Sequence, residues 1–158
     1  MLQLINAFLE FGYEVTFGCT AAKTAFSLDL DTLGVKEVAI QLNHVSFDGF
    51  IQDLNPNVVV FDRFMTEEQF GWRVAEFTPE TVRILNTEDL HSLRKSREEC
   101  FKKGEEFKEG HWKNHPMTLR EMSSIYRSDL TLMISNFEME LLAQKAHVPE
   151  NLLKHLPF

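Results

Sequence analysis

Two carboxylates and an imidazole fall within the six-residue run Asn86-Thr87-Glu88-Asp89-Leu90-His91. Such a set can take a proton from a hydroxyl and pass it on. A second pair, Asp62-Arg63, directly follows the apolar run Val58-Val59-Val60-Phe61. An acid and a base side by side can orient the hydroxyls of a polyol or stabilise charge at a crevice edge. Each segment also has a plainer reading. Asp62 can cap a helix that starts near Thr66, with Arg63 in a surface ion pair of little energetic value. Thr87 can cap a helix beginning at Leu90, with Glu88 and Asp89 near its positive dipole end. For residues 86–91 the two readings balance, and both can hold.

Groups that act together must be positioned by regular elements, and the hydrophobic pattern supplies candidates. Met1, Leu4, Ile5, Phe8 and Leu9 recur at helical spacing, and Gly12 follows where a helix would end in a left-handed residue. Tyr13 to Phe17 alternates like a strand and runs into Gly18-Cys19-Thr20. The helix-strand couplet then returns over residues 26–34 and 35–42, 46–54 and 58–61, and 66–77 and 82–85. Helices over 90–107 and 118–127 follow, separated by a Gly-, Lys- and His-rich loop. Leu130 to Ile134 reads as a strand, Asn136 to Ala146 as a helix, and Leu152 as the start of a further strand.

Nearly continuous apolar runs at 58–61 and 130–134 are the pattern of parallel strands covered on both faces. The expectation is an α/β, Rossmann-like, doubly wound and mostly parallel sheet with helices on both faces, forming a single domain over residues 1–158. Val59, Phe61, Ile84, Leu132 and Ile134 are its expected core. Sheets of this type ordinarily begin with a strand, whereas Met1 sits in a helix and Leu156-Pro157-Phe158 stops as a new element begins. An incomplete domain lacking its first strand is therefore expected, with an unpaired sheet edge open to self-association.

Ligands of open parallel sheets bind beyond the carboxyl ends of the strands. That rule selects Gly18-Cys19-Thr20, Asn43-His44, Asp62-Arg63, Asn86 to Asp89 with His91, and Ser135-Asn136. Loops are polar at most strand ends, so only the second pair and the 86–91 run rise above this background.

Composition narrows the partners. With 158 residues and 44% hydrophobic content the chain can bury a real core. Its net charge of -8 argues against nucleic acid as a partner. Cys19 and Cys100 form neither a disulfide framework nor a CxxC pair, which fits a reducing, cytoplasmic compartment. Leu2 to Phe11 is too short and too interrupted to span a bilayer or to export the chain. His111 and His115 have i, i+4 spacing, but Gly110 and Pro116 flank them with no third ligand close in sequence, so a surface loop is expected rather than zinc. No GxGxxG, GxxxxGK[ST] or GxSxG run occurs.

Three stretches carry a family resemblance. Phe61-Asp62-Arg63-Phe64-Met65-Thr66-Glu67-Glu68-Gln69-Phe70-Gly71-Trp72-Arg73-Val74, Arg83 to His91, and Ser128-Asp129-Leu130 through Ser135-Asn136-Phe137-Glu138 resemble bacterial glycosyltransferases of GT-B architecture. The resemblance implies the amino-terminal, acceptor-binding part of a two-domain enzyme that moves a sugar from a nucleotide-sugar donor to an acceptor. The donor would sit on the other domain, so this part alone would be inactive. It implies no cofactor and no metal. The acceptor could be a glycan, a lipid or a small molecule, and peripheral membrane association is compatible with that range. Carried onto this chain, Asp62 and His91 would be catalytic, while Arg63, Glu88, Asp89 and Asn136 would bind substrate. Two rivals stand beside it. One is a non-catalytic Rossmann-like binding module; the other is a metal- or carboxylate-dependent hydrolase built on Glu88, Asp89, His91 and His111.

Overall fold

The computed structural model describes residues 1–25 and 27–157. It divides into two compact units, Met1–Leu54 and the chain from Asn55 onward.

In the first unit, helix α1 (Leu2–Glu10) precedes strand β1 (Thr16–Cys19), which pairs in parallel with β2 (Lys36–Ala39) before helix α2 (Ser46–Leu54). Ile5, Leu30 and Val35 form its small buried core, with Met1, Leu9, Val15 and Phe17 packed against them. The helix expected over 26–34 does not form across its described part. Phe26 lies outside the described residues, and Leu30–Leu33 make only a 3-10 turn that ends at Gly34 in the left-handed region. Asp29, Asp31 and Thr32 in this stretch prefer local side-chain bonds to helix continuation; Thr32 Oγ1, for example, donates to the Asp29 carbonyl.

The second unit holds a four-stranded, all-parallel sheet, β3 (Val58–Asp62), β4 (Val82–Glu88), β5 (Leu130–Met133) and β6 (Leu153–His155), with neighbours in chain order. Helices α3 (Phe64–Phe77), α4 (His91–Lys103), α5 (Glu109–Lys113), α6 (Pro116–Arg127) and α7 (Asn136–Lys145) flank it. This is the α/β, Rossmann-like class that the periodicity indicates.

Register explains the burial. Phe61, Leu85 and Thr131 stand side by side on adjacent strands and are buried. Alternate positions Val60 and Ile84 pair on the other face and are only half-buried. Of the expected core, Phe61 and Leu132 are buried, Val59 and Ile84 are half-buried, and Ile134 is exposed because it lies one residue past the end of β5. No helix among the described residues is long and apolar enough to cross a membrane.

Candidate functional site

The rim where β3 and β4 end is built on unusual backbone. Arg63 follows β3 with φ 70° and ψ 156°, a conformation that essentially only glycine adopts without strain. Its N–H nevertheless donates to the Asn86 carbonyl at 2.8 Å, extending the ladder by one bond. On the neighbouring strand a β-bulge falls between Asn86 and Glu88, and Glu88 has φ 57°. These two residues then meet: Arg63 Nη2 lies 3.3 Å from Glu88 Oε2. Bulges and strained residues re-aim side chains at strand ends, which accounts for this meeting.

Asp62 does not cap α3 as the plainer reading supposes. The helix begins at Phe64, and the Asp62 carboxylate instead accepts from Asn86 Nδ2 at 3.4 Å. Thr87 does not cap α4 either. Strand β4 runs three residues past the expected Leu85, to Glu88. Thr87 is buried in it and donates to the Leu132 carbonyl at 2.9 Å.

The N-terminus of α4 is capped by carboxylates from elsewhere. Glu121 of α6 accepts from the N–H groups of His91 (2.9 Å, Oε1) and Ser92 (3.2 Å, Oε2), and Ser92 Oγ lies 2.5 Å from Oε2. Glu138 of α7 accepts from Leu90 N–H at 3.2 Å. Burial pushes the Glu121 carboxyl up to about 7, against the opposing pull of its donors, and burial also raises Glu138.

His91 and Asp89 stand at this same helix start. His91 Nε2 lies 3.2 Å from Asp89 Oδ1, while Arg94 Nε holds the other carboxylate oxygen at 3.1 Å. The Phe64 ring meets the imidazole edge-on, with centroids 5.8 Å apart. Burial lowers the His91 pKa; Asp89 and Glu88 oppose that shift, and Arg94 and Arg63 reinforce it. The imidazole is therefore neutral at pH 7. Asp89 faces Nε2, so Nδ1 is the ring nitrogen left for a proton to be taken up, the placement of an oriented general base.

The structure thus gathers Arg63, Glu88, Asp89 and His91 into one electrostatic cluster, with Asp62 tied to it through Asn86. Asn136 is exposed in the first turn of α7, and Glu138 of that turn, rather than Asn136, reaches the β4–α4 loop. His111 belongs elsewhere. It lies with Cys100 and Glu105 at the opposite end of α4 from His91, which takes apart the hydrolase constellation of Glu88, Asp89, His91 and His111.

Sequence reasoning missed Glu121, Glu138 and Arg94. Glu121 was concealed because the buried stripe of α6, Thr118, Glu121, Ser124 and Ile125, is mostly polar, and a search for apolar periodicity cannot register it. In the first unit, the Asn43-His44 segment serves the chain itself, since His44 Nδ1 accepts from Ser46 N–H at the start of α2. Asp29, Asp31 and Glu37 also converge there, but Lys23 is already their counter-ion, 2.8 Å from Glu37 and 3.9 Å from Asp31.

No protein-family model and no curated protein matches the chain.

Proposed function

We propose that this chain supplies the acceptor side of a sugar-transfer site, with the nucleotide-sugar donor bound by a separate domain. The observation that carries the reading is the Asp89–His91 pair at the carboxyl-end rim of a parallel sheet, where open α/β sheets bind their ligands. The resemblance of residues 61–74 and 83–91 to GT-B glycosyltransferases supplies the substrate class. In this reading His91 Nδ1 takes the proton of an acceptor hydroxyl as that oxygen bonds to the anomeric carbon, and the nucleotide phosphate departs with the electron pair of the bond that breaks. Asp89, 3.2 Å from Nε2, orients the imidazole. Asp62, Arg63 and Glu88 position the remaining hydroxyls, and Asn136 borders the same rim. The strained backbone at Arg63 and Glu88 fits a site organised before substrate arrives.

The test has two arms. Oligosaccharide acceptors added to the chain should perturb the His91 ring resonances in NMR spectra, whereas nucleotide sugars should bind weakly in calorimetry and no transfer should occur. When the chain is joined to a donor-binding domain, His91→Ala or Asp62→Ala should lower transfer by roughly tenfold to a thousandfold with little change in donor affinity. Tight nucleotide-sugar binding by this chain, or unaltered His91 resonances with every saccharide class, would refute the reading. Saccharide binding that survives with wild-type strength in His91→Ala would instead favour a non-catalytic binding module.

A further inference from the structure

The far end of α4 carries a different chemistry. Cys100 sits buried in its last turn. Gly104, at φ 68°, ends the helix, and Glu105 N–H turns back to bond the Cys100 carbonyl at 2.9 Å. This places Glu105 beside the cysteine. Helix α5 then brings in His111, whose ring is fixed by Lys108 N–H at 3.0 Å and lies against Phe107, with centroids 6.2 Å apart. One thiol sulfur, one carboxylate oxygen and one imidazole nitrogen end up within 4.8 Å of one another. They line a hollow of about 430 Å³ bordered also by Glu99 and His115.

We propose that Cys100, Glu105 and His111 bind a divalent transition ion of the Zn²⁺ type. A sulfur, nitrogen and oxygen set is the donor chemistry of Zn²⁺ and its neighbours and is unsuited to Mg²⁺ or Ca²⁺. Three protein ligands leave a fourth tetrahedral position for water or an external ligand. Bond lengths of about 2.0–2.3 Å imply ligand separations of roughly 3.3–3.7 Å, so donors within 4.8 Å of one another need to close by at most about 1.5 Å. Glu105 and His111 are both exposed and can make that movement once His111 gives up its bond from Lys108 N–H, while the buried Cys100 is the fixed point.

Binding displaces the Cys100 thiol proton to solvent as the S–metal bond forms. It also releases His111 from Lys108 N–H, by direct use of Nδ1 or because coordination through Nε2 moves the ring proton to Nδ1. Lys108 is exposed, so water can take over that donor. His115 is excluded as a ligand by its own duties. Its Nδ1 accepts from Met117 N–H as the cap of α6, and its Nε2 faces Glu99 at 3.5 Å. The i, i+4 histidine pair is thus not the metal motif; the partners of His111 come from the end of the preceding helix.

The test is a titration of the reduced protein with Co²⁺, a coloured stand-in for Zn²⁺. One equivalent should bind, with a thiolate-to-cobalt charge-transfer band that Zn²⁺ abolishes. Cys100→Ser should lose that band. His111→Ala and Glu105→Gln, both at exposed positions, should each weaken binding by about tenfold or more. Absence of a thiolate band, or wild-type affinity in both exposed variants, would overturn the site. None of these readouts depends on sugar transfer, so the result stands apart from the fate of that proposal.

Discussion

Helix α6 presents a buried glutamate system to each of two neighbours, and the two are solved in opposite ways. Toward α3, Glu67 is only 2% exposed and is gripped by Arg127 through both oxygens, at 2.9 and 2.6 Å. Toward α4, Glu121 is 1% exposed and has only backbone N–H groups and a serine hydroxyl. A full opposite charge offsets the cost of burying a carboxylate, whereas three dipoles do so only in part. The first arrangement is therefore a charge-paired joint, while the carboxyl of the second can change protonation near neutral pH.

The largest effect expected is at the charge-paired joint. Arg127→Ala leaves Glu67 buried and unpaired, and should cost roughly 2–4 kcal/mol in urea denaturation, below the figure for a fully enclosed pair because Arg127 is partly exposed. Adding Glu67→Gln should recover most of that loss; a double variant as unstable as the single one would show that the charge is not the cause.

At the Glu121 joint the signature is pH dependence. Its carboxyl is raised from 4.5 to about 7 in the folded chain, so the folded state binds more protons between those values. Its contribution to stability therefore falls as pH rises through that window, by up to about 3 kcal/mol in all. Urea midpoints measured from pH 5 to pH 8 should decline accordingly, and Glu121→Gln should flatten the curve.

Gly71 gives a smaller, geometric test. A Cβ at this position would run into the Glu67 carboxylate, so Gly71→Ala should displace Glu67 from Arg127 and cost about 1–3 kcal/mol. Unchanged stability would mean that the glutamate has room to move. The smallest effect has the opposite sign. Arg63→Gly relieves a backbone conformation worth about 1–3 kcal/mol of strain while removing an exposed ion pair. A net gain of about 1 kcal/mol is expected in thermal unfolding, together with weaker saccharide binding.

Much of the second unit is legible in the sequence because its strands declare themselves. Val58-Val59-Val60-Phe61 and Leu130 to Met133 are apolar for most of their length and become strands close to the expected bounds. Legibility fails where polar residues are structural. Asn86 and Thr87 look like a loop but complete β4, because their side chains find partners on neighbouring strands. The start of α4 bears no capping residue in its own sequence, since its caps arrive from α6 and α7 across long sequence separations. Asp89 and His91 were identifiable by type and spacing, but their direct contact required that helix start. The Cys100 cluster was invisible because its three donors belong to a helix end, a turn and a short helix that only folding brings together.

Trp112 extends the Glu121 arrangement into something that can be seen. Its ring is 1% exposed, and its Nε1–H donates at 2.9 Å to Ser92 Oγ, the same hydroxyl that meets Glu121. The other tryptophan of the chain, Trp72, is 48% exposed. An enclosed indole and a hydrated one emit at different wavelengths, so the blue part of the fluorescence spectrum belongs to Trp112. When Glu121 takes its proton, the Ser92 hydroxyl faces a neutral carboxyl in place of a charged one, and the indole ends up against a differently polarised oxygen. Trp112 emission is therefore expected to follow the protonation of Glu121 near neutral pH, an optical readout that needs no label.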